Sequence, residues 1–356
     1  LCDGATADRQ VTGRCGAGRE SAGNARASKG QDLLNTAARP RRLLAAGAAA
    51  ASLVLTACGS GIQQSPPATV APPANTIPTS TQPTNPGPAA KPSSPSSAVD
   101  AARVAALPRP SHVVVVVEEN HAAANILGSS SAPYINHLAR IGASFTRSYA
   151  ITHPSEPNYV ALFSGSQHGL TDDSCPHTYS GANLGSQLRA AGKSFRGYAE
   201  GLPRAGYPGC SLGEYARKHV PWTDFANLPG SVNQPLSAFG THFSRLPTLS
   251  FVIPNLAHDM HDGTITQGDQ WLRRHLSGYV TWARSHNSLL VLTWDEDDTG
   301  HGNLIPTIIV GAHVKAGRYG EHVTHYRMLR TVEALERLAP LGHAAGTSPI
   351  TDIWTS

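Results

Sequence analysis

The sequence is poor in charge, in paired cysteine motifs and in long apolar runs. Charged residues make up only 15% of its 356 residues, and the formal net charge is +4. No basic stripe forms beyond the N-terminus, so no nucleic-acid partner is expected. No apolar run reaches the roughly 20 residues that a comfortable bilayer span needs. No repeat period, heptad or large apolar face is visible, and a monomer is expected. The five cysteines, Cys2, Cys15, Cys58, Cys175 and Cys210, show no CxxC spacing, which argues against a thiolate metal site. What is present is histidine: 17 residues, most after residue 110 and many beside Asp, Glu, Asn or Gly. Histidine is the commonest metal ligand and the neutral-pH acid and base. A single one is more often solvated or satisfied in a core, so clustering decides the matter.

The N-terminal third does not read as a fold. Residues 1–38 are small, polar and aperiodic, a disordered leader or upstream extension. Arg39, Arg41 and Arg42 then precede a short apolar run, Leu43 to Ala57, the pattern of a secretory signal. The run ends in Leu55-Thr56-Ala57-Cys58-Gly59-Ser60. That stretch resembles the bacterial lipoprotein box, which implies a lipidated Cys58 and a membrane-anchored or secreted, extracytoplasmic protein. The signal thus spans 39–58. Residues 59–100 are dominated by Pro, Ser, Thr, Ala, Gln and Asn and cannot bury enough surface to offset chain entropy, so they read as a disordered tether. With Cys2 and Cys15 in the leader and Cys58 lipidated, Cys175 and Cys210 remain as an even pair outside the reducing cytosol, and a disulfide is expected.

Residues 101–356 alternate strand and helix. Val113 to Val117 is a pure β-branched run, the mark of a strand buried on both faces. The pattern predicts a helix over Pro133 to Arg147 with Ser131 as its cap, and a short strand over Phe145 to Ile151. A helix over Leu184 to Ala191 and a strand over Phe195 to Ala199 follow. The Gly- and Pro-rich stretch 201–235 reads as an insertion roofing a site. Then come a short helix at Leu236 to Phe243 and a strand at Leu249 to Ile253. An amphipathic helix over Asp269 to Ser285 precedes strands at Leu289 to Trp294 and Ile305 to Val310. Thr324 caps a final helix through Leu338. Such alternation predicts an α/β fold with a mostly parallel sheet covered on both faces.

Chemistry-bearing residues follow the strands. The first runs into Glu118-Glu119-Asn120-His121. Thr152-His153-Pro154-Ser155-Glu156-Pro157-Asn158-Tyr159 then places a hydroxyl in a constrained turn at a helix start. Pro254-Asn255-Leu256-Ala257-His258-Asp259-Met260-His261-Asp262 follows the strand ending at Ile253. Asp295-Glu296-Asp297-Asp298-Thr299-Gly300-His301 follows the strand ending at Trp294. His313, His322 and His325 come after Val310. If all strands are parallel, every cluster lands on one edge, where α/β sheets bind ligands. Ordinary βα loops also carry Asp and Asn as caps, which accounts for one such cluster but poorly for three. Carboxylates with an amide or imidazole suit a divalent metal. A metal can lower the pKa of a serine hydroxyl, and a helix N-terminus favours a phosphate oxygen. Together these point to phosphoryl transfer through a phosphoserine at Ser155.

The order Glu-Asn after a valine strand, His-Pro-Ser-x-Pro-Asn-Tyr, Pro-Asn-x-x-His-Asp-x-His-Asp and Trp-Asp-Glu resembles the bacterial phosphoesterase family of acid phosphatases and phospholipases C, within the alkaline phosphatase superfamily. The resemblance covers roughly residues 110–355 and implies a three-layer α/β/α fold. It implies metal ligands at Glu119, Asn120, Ser155, Asp295 and Glu296, with Asp297 an alternative to Glu296. It places His153, Asn158, His258, Asp259 and His261 at the substrate site. His261 is a candidate acid; His301 is a candidate ligand or acid and equally a turn residue. The run Asp297 to His301 stands where phospholipase C members carry an aromatic glycine-rich run, which favours a phosphatase acting on phosphate monoesters. A phospholipase C-like phosphodiesterase is the alternative. A non-catalytic solute-binding lipoprotein would share the N-terminus but leaves Ser155 and the carboxylates without a role.

Overall fold

The structure, a computed structural model, describes residues 95–355. The expected leader, the signal with Cys58, and the tether up to residue 94 lie outside the described residues. The tether's expected end at residue 100 is corrected: helix α1 already begins at Pro95 and runs Pro95–Ala106. Arg337 donates to the carbonyls of Val104, Ala105 and Leu107, satisfying groups that a helix end leaves without partners.

Strand β1 (His112–Glu118) is followed by α2 (Ala123–Ile126), α3 (Pro133–Ile141), β2 (Ala143–Tyr149) and α4 (Ser155–Ser164). Next come α5 (Leu184–Ala190), β3 (Phe195–Ala199), the small hairpin β4 (Ser211–Leu212) and β5 (Tyr215–Ala216), and β6 (Asn233–Pro235). The chain closes with β7 (Leu249–Ile253), α6 (Ile265–Ala283), β8 (Ser288–Trp294), β9 (Thr307–Gly311), β10 (Gly317–Thr324) and α7 (His325–Leu335). Eight strands form one sheet in the order β10-β2-β9-β8-β1-β7-β3-β6. β1 lies at its centre, parallel to β7 and β8, with Val113 opposite both Leu249 and Leu289. This central position explains the five valines: both faces are covered and both edges paired, so only apolar side chains fit. Val113, Val115 and Val117 pack with Tyr159, Leu162 and Phe163 of α4 and Leu329 of α7. Val114 and Val116 pack with Ile135 and Leu138 of α3 and Leu272 and Leu276 of α6. The result is an α/β/α three-layer fold.

Several expectations are corrected in detail. β9 runs antiparallel to β8 and β2, so His313, just past its end, lies at the edge opposite the other clusters. The helix expected to Arg147 stops at Ile141, because Ala143–Tyr149 is needed as a strand between β9 and β10. Its N-cap is Ala132, not Ser131, and no side chain caps it. The helix expected at Leu236 to Phe243 is two separate single 3-10 turns, Leu236–Ala238 and Phe243–Arg245. β10 was not legible at all: it alternates exposure along an edge and contains Gly317, Gly320, Arg318 and Glu321.

Two predictions follow from this packing. A Cβ at Gly197 in β3 would run into the indole of Trp222, so Gly197→Ala is expected to lower unfolding stability by about 1–3 kcal/mol, measured by denaturant titration. Glu333 is fully buried; burial pushes its carboxyl up to about 7, although the Leu341 N–H donates to it and Arg330 lies near. The fold therefore favours the protonated acid. That contribution is full below the unfolded value near 4.5 and is lost as pH rises through about 7. Glu333→Gln should raise the thermal midpoint relative to the wild type at pH 8 and leave it nearly unchanged at pH 4.5.

Candidate active site

Parallel β1, β7 and β8 deliver their following loops to one edge, and α4 starts there. Strand alternation separates the two glutamates that end β1. Glu118 shares the face of Val114 and Val116, and burial together with the charges of Asp259 and Glu200 holds its pKa well above the usual carboxylate range. Glu119, one residue past the strand, turns to Ser155, whose hydroxyl donates to Glu119 Oε2 at 2.9 Å. Asn120 has a left-handed backbone (φ 41°), a conformation asparagine tolerates better than most residues. Its N–H donates to Asp295 Oδ1 at 3.3 Å.

Ser155 is the first residue of α4, and α4 is buried along its entire length. The helix start is held by Asn158: its Oδ1 accepts from Ile151 N and Thr152 N, and its Nδ2 donates to the carbonyls of Thr152 and Pro154. An asparagine amide has two acceptor sites and two donors; here all four serve the turn, so Asn158 has none left for a substrate. Glu156 N is taken by Asp173 Oδ1 at 2.9 Å.

Asp295 and Glu296 complete the edge. Burial pushes Asp295 up to about 7, against the pull of the nearby Ser155 hydroxyl and the hydrogen bond from the Asn120 N–H. Burial and the charge of Asp295 push Glu296 up to about 8. Asp259 is raised to about 7, chiefly by burial. Burial, then Asp295 and Asp259, raise Glu119 well above its ordinary value. Four buried carboxyls thus resist sharing negative charge. Glu296 and Asp297 differ in their partners. Both Asp297 oxygens accept backbone N–H groups, Oδ1 from Thr299 and Oδ2 from His301 and Asn303. Asn120 Oδ1 and Asp295 Oδ2 are buried and without a hydrogen bond, whereas Glu296 Oε2 faces the His153 ring.

The expected histidines separate. His153 places Nδ1 2.9 Å from Glu296 Oε2 and Nε2 3.3 Å from Asp297 Oδ1. His261 pairs with Asp262 at 2.7 Å, and its Nε2 lies 3.5 Å from Lys218 Nζ. His258 instead pairs with Glu200 at 2.9 Å. His301 pairs with Asp298 at 2.7 Å and its N–H with Asp297, the contacts of a turn residue. His325, at the start of α7, sits 2.6 Å from the Asp295 carbonyl; burial lowers its pKa to about 4, so the neutral ring donates there.

Two contributors were missed. The roofing insertion brings in Lys218 and His219. Burial would lower the Lys218 pKa, but its hydrogen bond to Asp173 at 2.8 Å and that carboxylate's charge outweigh burial and raise it. His219 is 1% exposed, lies between Glu119 and Asp259, and stacks on Tyr159 with ring centroids 5.1 Å apart. Tyr159 in turn donates to Glu119 Oε1. No spacing pattern marks Lys218-His219; a basic pair before Val220-Pro221-Trp222 in a Gly-rich stretch was the only signal. The insertion is secured by a Cys175–Cys210 disulfide and by Arg217, which bonds Asp224, Thr223 and the Pro208 carbonyl.

The residue types at this edge suit a divalent cation. Unpartnered buried oxygens are costly, and here those of Asn120 and Asp295 accompany Glu119, Glu296 and the Ser155 hydroxyl. These oxygen groups are the types that hold hard cations.

The model of the Phosphoesterase family matches residues 129–339. A phosphatidylinositol-3-phosphatase of Mycobacterium tuberculosis is 54% identical over 253 residues, 70% of this chain and 84% of that protein. A phosphate-repressible acid phosphatase of Penicillium chrysogenum is 30% identical over 227 residues, 58% of this chain and 55% of that protein. A solved structure in the alkaline phosphatase superfamily, from Vibrio parahaemolyticus, matches with a TM-score of 0.50 at 14% identity, covering 68% of this chain and 71% of that one. It shows the fold alone.

A divalent cation added to metal-free protein is expected to raise the thermal midpoint, reflecting about 2.7 kcal/mol of stabilisation at a hundredfold excess over Kd. Asp295→Asn should lose most of that shift. An unchanged wild-type midpoint with every divalent cation tried would remove the cation from this centre.

Proposed function

This chain belongs to the phosphoesterase family and is a hydrolase of phosphoric esters; from that premise we propose that it cleaves phosphate monoesters through a phosphoserine at Ser155. The observation that carries the reading is Ser155 itself: a buried hydroxyl at a helix N-terminus, hydrogen-bonded to Glu119 and set among Asp295 and Glu296. The relative's name, phosphatidylinositol-3-phosphatase, denotes a monoester on a lipid headgroup, which supports monoester over phospholipase C-like diester cleavage. An inositol-lipid monophosphate is the substrate class we propose. The enzymatic relatives leave no support for the solute-binding alternative.

Glu119, Asn120, Ser155, Asp295 and Glu296 would hold a divalent cation, which when bound lowers the serine pKa and screens the phosphate charge. Ser155 Oγ attacks phosphorus, its proton directed toward Glu119 Oε2. The transferred phosphoryl oxygens face the positive N-terminal end of α4 and the Lys218 ammonium. His261 gives a proton to the leaving alkoxide, releasing the alcohol. Water then cleaves the Ser155 ester to phosphate and restores the hydroxyl. Asn158 and His325 act by positioning, the first through the turn before Ser155 and the second through the Asp295 carbonyl. We also propose that Cys58 carries a lipid and that the tether holds the catalytic domain outside the cytoplasm, at a membrane surface; the lipoprotein-box likeness supports this.

Hydrolysis of a chromogenic monoester, inositol-lipid monophosphate and phosphatidylcholine by wild type and Ser155→Ala tests the reading. Monoester turnover should be abolished by chelator and fall on the order of 10³-fold or more in the variant, with melting unchanged. Retained turnover in Ser155→Ala would remove serine from the mechanism. Cleavage of phosphatidylcholine alone would favour the diesterase.

A further inference from the structure

We propose that a groove beside the β2–β10 pair takes an acyl chain of an anionic phospholipid and so holds the domain to a bilayer at a place other than the candidate active site. The groove is a cavity of about 840 Å³ between α2, α3 and the first halves of β2 and β10. That lies within the roughly 300–1,000 Å³ of pockets that enclose a small ligand. β10 is the terminal strand of the sheet, and its register with β2 sets Arg318 opposite Ser144.

The lining favours a hydrocarbon chain over a peptide. Leu127, Ala139 and Leu304 give it apolar walls, and no Asp or Glu lines it. Its neutral polar side chains, the Ser144 hydroxyl apart, are spent on the protein itself. Asn136 Oδ1 accepts from Gly128 N at 2.7 Å, and Asn136 Nδ2 lies within hydrogen-bond distance of the carbonyls of Ile126, Ser129 and Ala132. Thr146 Oγ1 donates to the Tyr319 carbonyl at 3.1 Å. An extended peptide laid here would lose water from its N–H and C=O groups and find few partners for them. An acyl chain has no such groups, and burying its surface is favourable in itself.

Two arginines define the head of the occupant. Arg140, in the last turn of α3, and Arg318, in β10, both line the groove, and both are exposed. Among the described residues neither side chain has an ion pair or a hydrogen bond, whereas Arg217, Arg327 and Arg330 each face a carboxylate. Arginine can lay its methylene stem along an apolar surface and keep its charge in water, and its planar fork matches a phosphate. Two free guanidinium groups flanking an apolar groove therefore complement an amphiphile with an anionic head. The groove wall is also tied to the candidate active site. Ala123 N donates to the Leu304 carbonyl at 2.8 Å, and Asn125 donates to Asp298 at 2.7 Å. Asn303, just before Leu304, bonds Asp297 N and the Thr152 carbonyl. A lipid seated here brings the Asp297 turn toward the bilayer.

Lipid binding needs no turnover, so the groove is tested apart from the phosphoserine reading. Full-length protein is mixed with phosphatidylcholine vesicles that carry an acyl-chain diazirine on either phosphatidylserine or phosphatidylcholine. After irradiation, the labelled peptides are mapped by mass spectrometry. The phosphatidylserine probe should label the peptides holding Leu127, Ala139 or Leu304 several-fold more than the phosphatidylcholine probe does. Each basic group near an anionic surface is worth about fivefold in binding, so Arg140→Gln combined with Arg318→Gln should lower this labelling about 25-fold. Ala139→Trp, which fills the groove, should abolish it and leave labelling elsewhere unchanged. Circular dichroism checks that each variant folds; Ala124→Trp replaces Ala139→Trp if that one does not, and the two-probe comparison on the wild type decides if neither does. Groove peptides labelled equally by both probes, or labelled undiminished in the arginine or tryptophan variants, would overturn the proposal. Groove peptides left unlabelled would also overturn it, and would leave the groove to an amphipathic protein partner.

Discussion

The fold depends on one electrostatic constraint: four carboxyls and a serine hydroxyl are buried together where β1, β8 and the β7 loop end. Burial raises the pKa values of Glu119, Asp259, Asp295 and Glu296, and neighbouring carboxylates add to this for Glu119 and Glu296. Burying like charges without compensation is strongly unfavourable. Lys218 supplies one positive charge at the rim, already shared with Asp173. A bound cation would stabilise the ionised carboxylates, which links the catalytic reading to stability.

The surrounding structure serves to hold that constraint in place. The central sheet fixes β1 between β7 and β8, so the positions of Glu119, Asp259 and Asp295 are set by backbone pairing: Glu119 N donates to the Asp259 carbonyl and Asp295 N to that of Glu118. Side chains finish the alignment. Asn158 aims the turn before Ser155, Tyr159 and His219 engage one oxygen of Glu119, and His325 holds the Asp295 carbonyl. A serine nucleophile is useful only when its distance and direction are fixed in this way.

Much of this was legible in the sequence because strand ends and helix starts carry local signals. The valine run located the sheet centre, Phe195–Ala199 and Leu249–Ile253 were read to the residue, and Thr324 caps α7 as its type suggests. Glu119, Ser155, Asp295 and Glu296 sat beside such signals. What escaped depends on tertiary context. β10 is an edge strand with half-exposed polar residues and no apolar period. The antiparallel sense of β9 is a topological fact that its apolar composition does not encode, and it sent His313 to the wrong edge. Lys218 and His219 arrive from an irregular insertion whose path is set by a disulfide and a buried arginine. Asn158 and His301 have residue types that suit a substrate, and only their hydrogen-bond partners reveal a structural task.

The central claim is that Ser155 carries the phosphoryl group between substrate and water. The most direct measurement is acid quenching during steady-state turnover of a phosphate monoester, followed by mass spectrometry of the peptide containing Ser155. The account predicts a phosphate on Ser155 that appears with substrate and vanishes when substrate is exhausted. Continued turnover under conditions that preserve phosphoserine, with Ser155 unmodified throughout and oxygen-18 from water entering phosphate by direct inversion, would contradict it.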